Sequence, residues 1–256
     1  MARFSANLGF LWTEHSLPDA IRAAARAGFD AVECHWPYDV PIDEVRSALA
    51  DTGLQMLGIN TMRGTPEAPG NGMSAVPDLE AQARAAIRQA VEYAAAIGAH
   101  NIHVMAGVAA GDAAQQCFLT NLQFACDLAA PHGIAILIEP LNPFDAPGYF
   151  LSSTEQAASI IALAGRNNLK LMFDFYHVER TEGNALGKVE NLLPVIGHIQ
   201  FAAVPDRGAP DHGALDYGPV FDHLDELGYT DPLGAEYKPD GATEDSLGWL
   251  NAQKQR

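Results

Sequence analysis

The sequence predicts an α/β fold, a single (β/α)8 barrel of the TIM type that spans residues 1–256. A repeating unit supports this: a strand-like apolar run is followed by a loop, an amphipathic helix and a Gly, and the unit recurs about eight times. The length also fits, because such a barrel needs roughly 250 residues. A doubly wound open sheet is the alternative, and it is disfavoured because no Gly-x-Gly-x-x-Gly motif follows the first strand.

The first half of the chain is predicted to hold four strands and four helices. A Gly next to the end of each helix supports the assignment, because Gly accepts the left-handed conformation that ends helices. The longest loop, residues 60–79, is rich in Gly and Pro and has the length of a functional lid. The strands lie at 4–8, 31–34, 54–59 and 101–105, and the helices begin at the cap Ser16 and near Asp43 or cover 79–97 and 113–130.

The second half repeats the pattern with shorter elements and one more long loop. Ser153 or Thr154 is expected to cap the fifth helix, since small hydroxyl side chains accept hydrogen bonds from the first helical turn. Residues 202–218 are predicted to form the second long loop. Strands are expected at 135–139, 169–174, 196–200 and 233–236, with helices at 154–165, 186–193 and 219–227 and a last one that begins near Asp245.

Composition excludes several classes of partner. The net charge is −17 with only 15 Lys and Arg, so the overall field would repel a nucleic acid or an anionic membrane surface. Three cysteines, Cys34, Cys117 and Cys126, show neither zinc spacing nor an even count, which favours a reducing cytoplasm over a disulfide scaffold. We expect a cytoplasmic protein with a small-molecule partner. A homo-oligomer is compatible with the sequence, since barrels of this type often dimerise.

Four polar residues, each at the carboxyl end of an apolar run, are the strongest functional signal. They are Glu139, Asp174, Gln200 and Glu236, one for each strand from the fifth to the eighth. The carboxyl ends of barrel strands form one rim, so these side chains can converge on a single ion. Taken singly, each has a simpler explanation, because a carboxylate at a strand end is often a helix cap or an ion-pair partner and a glutamine is often a surface contact.

The donor set suggests a chemistry. Three carboxylates and one amide oxygen suit Mg²⁺, Mn²⁺ or Co²⁺ better than zinc, which prefers nitrogen and sulfur ligands. An ion with six positions would keep two for adjacent hydroxyl and carbonyl oxygens of a substrate. Proton removal by one glutamate and return by the other, through a metal-bound ene-diolate, would give isomerisation or epimerisation. Glu139 and Glu236 are the expected catalytic pair.

Several motifs resemble the hydroxypyruvate isomerase family of the xylose-isomerase-like barrel superfamily, over nearly the whole chain. The resemblance implies a divalent metal, catalytic glutamates at Glu139 and Glu236, and interconversion of hydroxypyruvate and tartronate semialdehyde. The motifs are Ile138-Glu139-Pro140-Leu141-Asn142, Phe173-Asp174-Phe175-Tyr176-His177, Gly197-His198-Ile199-Gln200 and Glu236-Tyr237-Lys238-Pro239.

The pattern of the related ketose epimerases implies substrate contacts by His177 and Arg207. We expect His177 on the loop after the sixth strand, where a bond to the backbone is its simpler explanation. Arg207 or Lys238 is expected to hold a substrate carboxylate, although Lys238 also fits an ordinary surface position. The loop departs from the family pattern, because Ala203 and Ala214 stand where relatives tend to have acidic residues.

Other functions stay open at this point. A 2-oxo-tetronate isomerase or a ketose 3-epimerase would use the same residues and would differ by accepting a longer polyol chain. A sugar-acid binding protein without turnover would protect itself from unfolding with ligand but exchange no substrate proton. A phosphodiesterase or endonuclease would need several histidine ligands and a basic face, and neither is evident.

Overall fold

The computed structural model describes residues 2–64 and 70–255, and it confirms the predicted barrel. Parallel strands form a nearly closed ring with helices between them, because each buried strand needs a helix to return the chain to the same end. The strands are β1 (Phe4–Asn7), β2 (Ala31–Glu33), β3 (Gln55–Met56), β4 (Gly58–Asn60), β5 (Asn101–His103), β6 (Ala135–Ile138), β7 (Leu169–Asp174), β8 (Ile196–Phe201) and β9 (Leu233–Ala235).

The predicted third strand is present in two pieces, and these pieces complete the ring. Strand order is β3-β2-β1-β9-β8-β7-β6-β5-β4, so the two ends of the order are neighbours in the chain. They are separated by Leu57, whose N–H donates to the carbonyl of Val32 at 2.7 Å, while Cys34 N–H donates to the carbonyl of Gly58 at 3.0 Å. The nine short strands therefore occupy eight strand positions around the barrel, because β3 and β4 are two parts of one position. The eight-fold repeat predicts this number.

The helices follow the predicted order with one addition. Ser16 and Ser153 accept hydrogen bonds from the backbone N–H groups of Asp19 and Gln156, at 3.3 and 3.2 Å, and so cap the first and fifth helices. The helices in the described residues are α1 (Leu17–Ala27), α2 (Ile42–Thr52), α3 (Glu80–Ile97), α4 (Gly111–Ala129), α5 (Thr154–Ala164), α6 (Phe175–Thr181), α7 (Ala185–Leu192), α8 (Tyr217–Glu226) and α9 (Gly248–Lys254).

Helix α6 replaces the loop that we expected after Asp174. Four consecutive residues of this short helix, from Phe175 to Val178, are buried, so no amphipathic periodicity marks it in the sequence. The helix begins because the side chain of Asp174 accepts from the N–H of Tyr176 at 2.8 Å. His177 therefore stands on the first turn of a helix, which gives its ring a more fixed position than a loop would.

The long loop after β4 is tied to the barrel where it is described. Its residues 65–69, part of the predicted lid, lie outside the described residues. Gly72 pairs with Ala106 after β5 in an isolated bridge. At φ +105° a side chain on Gly72 would be strained, and its Cβ would lie 2.2 Å from the carbonyl oxygen of Met105. Only glycine allows this close approach.

The last helix closes the fold by packing an indole against the sheet. Trp249 of α9 makes edge-to-face contacts with Phe4 of β1 and Phe201 of β8, at 5.1 and 5.4 Å between ring centroids. Phe221 of α8 joins the same cluster, 5.0 Å from both phenylalanines. Within the described part of the chain, no helix has the length and apolar character needed to cross a membrane.

Candidate active site

The carboxyl rim of the barrel brings together three acidic side chains and one histidine. Glu139 follows β6, Asp174 ends β7, His177 stands on α6 and Glu236 follows β9. One ligand atom from each lies within 4.8 Å of the others, and all four residues are buried. An ion with bonds of ~2.1 Å holds its ligand atoms at most ~4.2 Å apart, so a small contraction would bring these atoms into a coordination sphere.

Asp174 divides its two oxygens between structure and site. Oδ1 accepts from the N–H of Tyr176 and caps α6, which is the simpler explanation that the sequence offered. Oδ2 is buried without a hydrogen-bond partner, and so is Oε1 of Glu139. Because buried polar atoms are normally paired, two acceptor oxygens left unpaired next to one another indicate a cationic or protic group that belongs there.

Gln200 stands on β8, opposite Asp174 in the strand register. Its Nε2 donates to Oε1 of Glu33 at 3.1 Å, while its own Oε1 is buried and unpaired. The amide therefore offers an oxygen rather than a nitrogen as a free acceptor. That oxygen is the kind of ligand expected from the sequence.

Glu236 is the most heavily hydrogen-bonded acid of the site. Its Oε1 accepts from Nδ2 of Asn7 at 2.9 Å and lies 3.1 Å from Nε2 of His35, and its Oε2 accepts from the guanidinium of Arg207. Burial opposes ionisation, but the Arg207 charge and the His35 bond outweigh it and lower the pKa of Glu236 to about 2. The carboxylate is thus stabilised in its charged form.

The other two acids have fewer stabilising partners than Glu236. Burial, with the neighbouring charge of Glu236, raises the pKa of Glu139 well above its usual value. Burial also raises the pKa of Asp174, to about 7, although Arg207 lies 3.9 Å from its Oδ2 and opposes the shift. Three carboxylates in one buried site cannot all ionise without additional positive charge.

Arg207 is positioned by its loop and by two aromatic rings. The residue has a left-handed backbone, φ +60°, and its N–H donates to the carbonyl of Ala203 at 2.9 Å. Its guanidinium carbon lies 4.8 Å from the centre of the Phe10 ring and 5.1 Å from that of Tyr176. Stacking on both rings directs the charge toward the carboxylates.

His177 presents a donor to the site. Its Nδ1 accepts from the backbone N–H of Asn142 at 3.0 Å, and a backbone N–H can only donate. In the neutral ring the proton therefore sits on Nε2, which is unpaired and lies 3.7 Å from Oδ2 of Asp174. Burial, together with the charge of Arg207, lowers the pKa of His177 to about 3, which keeps the ring neutral.

Glu139 and Glu236 line a cavity of about 550 Å³, within the range of small-molecule sites, whereas Asp174 and Gln200 are not among its lining residues. His103, from β5, also faces the cavity, and both of its ring nitrogens lack a hydrogen-bond partner. Lys238 is exposed at the mouth, where its Nζ lies 5.8 Å from the Phe10 ring. Besides Glu139 and Glu236, the lining includes Phe10, His35, Trp36, Arg63, Asn71, His103, His177, Arg207 and Lys238.

Comparison with known proteins agrees with this architecture. A family model described as xylose isomerase-like TIM barrel matches residues 21–253. The chain belongs to this family. The chain is similar to a 2-oxo-tetronate isomerase of Cupriavidus necator, with 42% identity over 98% of each chain. It is also similar to a hydroxypyruvate isomerase of Escherichia coli, with 36% identity over 98% of this chain and 99% of that protein.

A solved structure gives the same picture of this xylose isomerase-like barrel. A protein of Brucella melitensis described as a family 2 AP endonuclease superposes with a TM-score of 0.94 and 35% identity, over 98% of this chain and 99% of that one. The resemblance that the motifs indicated is therefore confirmed at the level of the family.

The loop that departs from the family pattern uses its alanines through the backbone. Ala203 is buried, and its carbonyl accepts the N–H of Arg207. Ala214 is exposed, and its N–H donates to the carbonyl of Val204 at 2.8 Å. Both residues stabilise the loop that carries Arg207 through backbone hydrogen bonds. Neither of them supplies an acidic side chain to the site.

Sequence reasoning missed several residues of this xylose isomerase-like site. Asn7 and His35 contact Glu236, and Glu33 contacts Gln200. A signal was present for two of them, because Asn7 and Glu33 also stand at the carboxyl ends of apolar strands. His35 follows β2 in an irregular segment, and no pattern in the sequence marks it.

Replacing His177 by Asn should separate a hydrogen-bond donor from a metal ligand. The Asn oxygen can still accept from Asn142 N–H, so the variant loses only the Nε2 group. We expect the affinity for Mn²⁺, measured by calorimetry, to change by less than about threefold. Asp174→Asn keeps the cap of α6 but replaces Oδ2, and should weaken Mn²⁺ binding about tenfold or more. Equal losses in both variants would make His177 a ligand.

Metal binding should strengthen as pH rises. Below about pH 4 the Asp174 carboxyl is protonated in both the folded and the unfolded chain. Between about pH 4 and about pH 7 only the folded chain keeps this proton. The metal-free protein therefore loses stability as the pH rises through this range. A metal ion must displace that proton, so Mn²⁺ should raise the melting temperature more at about pH 8 than at about pH 5.5. The pH dependence should become weaker in Asp174→Asn, where only the raised pKa of Glu139 remains to oppose the metal ion, and an equal shift at both pH values in the unmodified protein would contradict the assignment.

Proposed function

We propose that the protein is a metal-dependent isomerase of short hydroxy-carbonyl acids. It is an enzyme of the isomerase class, since relatives that match it over their full length are named 2-oxo-tetronate isomerase and hydroxypyruvate isomerase. One observation supports the chemistry above the others. Glu139 and Glu236 each bring a carboxylate oxygen to one buried cluster beside unpaired acceptors, and both residues line a cavity of substrate size.

The donor set fits a hard divalent cation. Glu139, Asp174, Gln200 and Glu236 would hold it, and their oxygens suit Mg²⁺, Mn²⁺ or Co²⁺. When bound, the ion supplies positive charge that stabilises an ene-diolate. It would also relieve the repulsion that raises the pKa values of Glu139 and Asp174.

The two glutamates are the proposed proton carriers. They come from β6 and β9, which β7 and β8 separate in the ring, so they reach the cavity from different sides. One removes a proton from the carbon that bears the hydroxyl, and the other delivers a proton to the neighbouring carbon. For hydroxypyruvate a proton leaves C3 and one returns at C2, while the hydroxyl proton passes from O3 to O2, and tartronate semialdehyde results.

Other side chains would orient the substrate. The Nε2–H of His177 can donate to a substrate oxygen, because Asn142 fixes the opposite nitrogen as an acceptor. Arg207 and Lys238 both line the cavity, and a cation there can bind a carboxylate. Phe10 lies against both cations and excludes water from that side of the cavity.

Two substrates have comparable support. A four-carbon 2-oxo-tetronate is favoured by the relative from Cupriavidus necator and by a cavity with room beyond a three-carbon acid. Hydroxypyruvate is favoured by the relative from Escherichia coli. A ketose 3-epimerase activity would use the same two glutamates for proton transfer. A binding protein without turnover would transfer no proton. The first experiment distinguishes both from the isomerase.

Solvent exchange tests the proposal directly. Purified protein with Mn²⁺ or Mg²⁺ in D₂O is incubated with hydroxypyruvate, a 2-oxo-tetronate, D-fructose or D-tagatose, and followed by proton NMR. We expect isomerisation with deuterium incorporation in at least one of the two acids. A chelator should abolish both the isomerisation and the deuterium incorporation. Conversion of the ketoses alone would indicate an epimerase, and binding without exchange in any compound would contradict the isomerase.

Glutamate variants test the roles of the two acids. Glu139→Gln and Glu236→Gln preserve shape but remove the proton carrier, so exchange of the substrate α-proton should fall by about 100-fold or more in each. Glu155→Gln, at an exposed position of α5, is the matched control and should leave the rate unchanged. Turnover near the unmodified rate in both active-site variants would overturn the assignment.

A further inference from the structure

Glu33 is a buried carboxylate that the proposed reaction does not use. It ends β2, and only 3% of its surface is exposed. Three side-chain groups surround it: Nδ2 of Asn7 at 3.2 Å and Nε2 of Gln200 at 3.1 Å on Oε1, and Nε2 of His198 at 2.5 Å on Oε2. Burying a carboxylate is costly even when it is hydrogen-bonded. The position of Glu33 beside the site therefore needs a physical explanation.

The contact with Gln200 decides which end of the amide faces away from Glu33. A carboxylate oxygen accepts, so the amide must present its NH₂ group to Glu33. The amide oxygen then lies at the other end of the same rigid plane, where it is buried and unpaired. Without an acceptor at Glu33 the amide could rotate and present NH₂ groups, which cannot bind a cation, in place of the oxygen.

Asn7 carries the same constraint to Glu236. The backbone N–H of Gly9 donates to Oδ1 of Asn7 at 2.9 Å, which identifies the oxygen end of this amide. The Nδ2 group is therefore free to donate twice, to Glu33 at 3.2 Å and to Glu236 at 2.9 Å. Glu33 thus contacts Gln200 directly and Glu236 through Asn7, and both are among the four residues that would hold the metal ion.

The fold keeps a place for this arrangement. Gly234 of β9 is paired with Gln200 in the strand register. A Cβ atom at Gly234 would lie 2.5 Å from Oε1 of Glu33 and 2.9 Å from both Cγ of Gln200 and Nε2 of His198. The backbone of β9 therefore approaches the hydrogen-bonded group as closely as a residue without a side chain permits.

We propose that Glu33 is a positioning residue that sets the orientation of Gln200 and Glu236 for metal binding. Its role is to act as an acceptor for two amide groups, and His198 holds it in place. The inference rests on the proposed function, since it concerns the same metal site. It goes beyond that function by assigning a role to a residue that touches neither substrate nor ion.

Metal affinity tests this role without relying on turnover. The full-length protein is stripped with chelator, and its affinity for Mn²⁺ is measured by calorimetry, with circular dichroism to verify folding. Glu33→Met removes both acceptor oxygens at similar length and should weaken Mn²⁺ binding by about 10- to 100-fold. Glu182→Met is the matched control, because Glu182 accepts two bonds from Thr154 away from the site, and it should stay within about twofold.

The conservative variant separates position from charge. Glu33→Gln removes the charge but keeps one oxygen that can accept from Asn7 and Gln200 while its NH₂ turns to His198, so Mn²⁺ affinity should stay within about threefold. A loss as large as in Glu33→Met would show that charge matters and would overturn the inference. If Glu33→Met does not fold, Glu33→Asp withdraws the oxygens by about 1.5 Å and should bind Mn²⁺ more weakly than Glu33→Gln.

The outcomes for the two proposals are distinct. Absence of Mn²⁺ binding by the unmodified protein would refute the proposed metal-dependent function. Binding by the unmodified protein with equal affinity in Glu33→Met, or in Glu33→Asp where that variant replaces it, would refute the role of Glu33 and leave the proposed function standing.

Discussion

Repulsion among three buried carboxylates is the constraint on which the active rim depends. Glu139, Asp174 and Glu236 offer atoms within 4.8 Å of one another, in buried surroundings where water screens their charges less than at the surface. The protein compensates only one of them fully, since Glu236 has the Arg207 guanidinium, the Asn7 amide and the His35 ring. Glu139 and Asp174 keep raised pKa values, and this incomplete compensation supports the proposed cation site.

The rim meets this demand by giving different oxygens different tasks. In Asp174 one oxygen caps a helix and the other faces the site, so a single residue ends β7, starts α6 and contributes to the cluster. The helix that it starts carries His177, whose ring is fixed by the backbone of Asn142. A change in the cap would therefore also move His177, the proposed substrate contact.

Much of the fold was predictable because its signals are local. Helix starts at Ser16 and Ser153 follow from hydroxyl side chains that accept backbone N–H groups within one turn. The exceptions have physical reasons. Helix α6 is buried along four consecutive residues and lacks periodicity, and the third strand is divided at Leu57 by hydrogen bonds to β2 that no local pattern reveals.

The sequence by itself determined the barrel and the acids at its rim, because strand alternation and a polar residue at each strand end depend only on neighbouring residues. Tertiary structure alone decided which polar groups meet. Asn7 contacts Glu236 across 229 positions of the chain, and Glu33 contacts Gln200 across 167, because closure of the ring brings the first strands beside the last. It also decided that Nε2 of His177 carries the ring proton and that Gln200 leaves its oxygen unpaired, since each orientation is imposed by a partner distant in sequence.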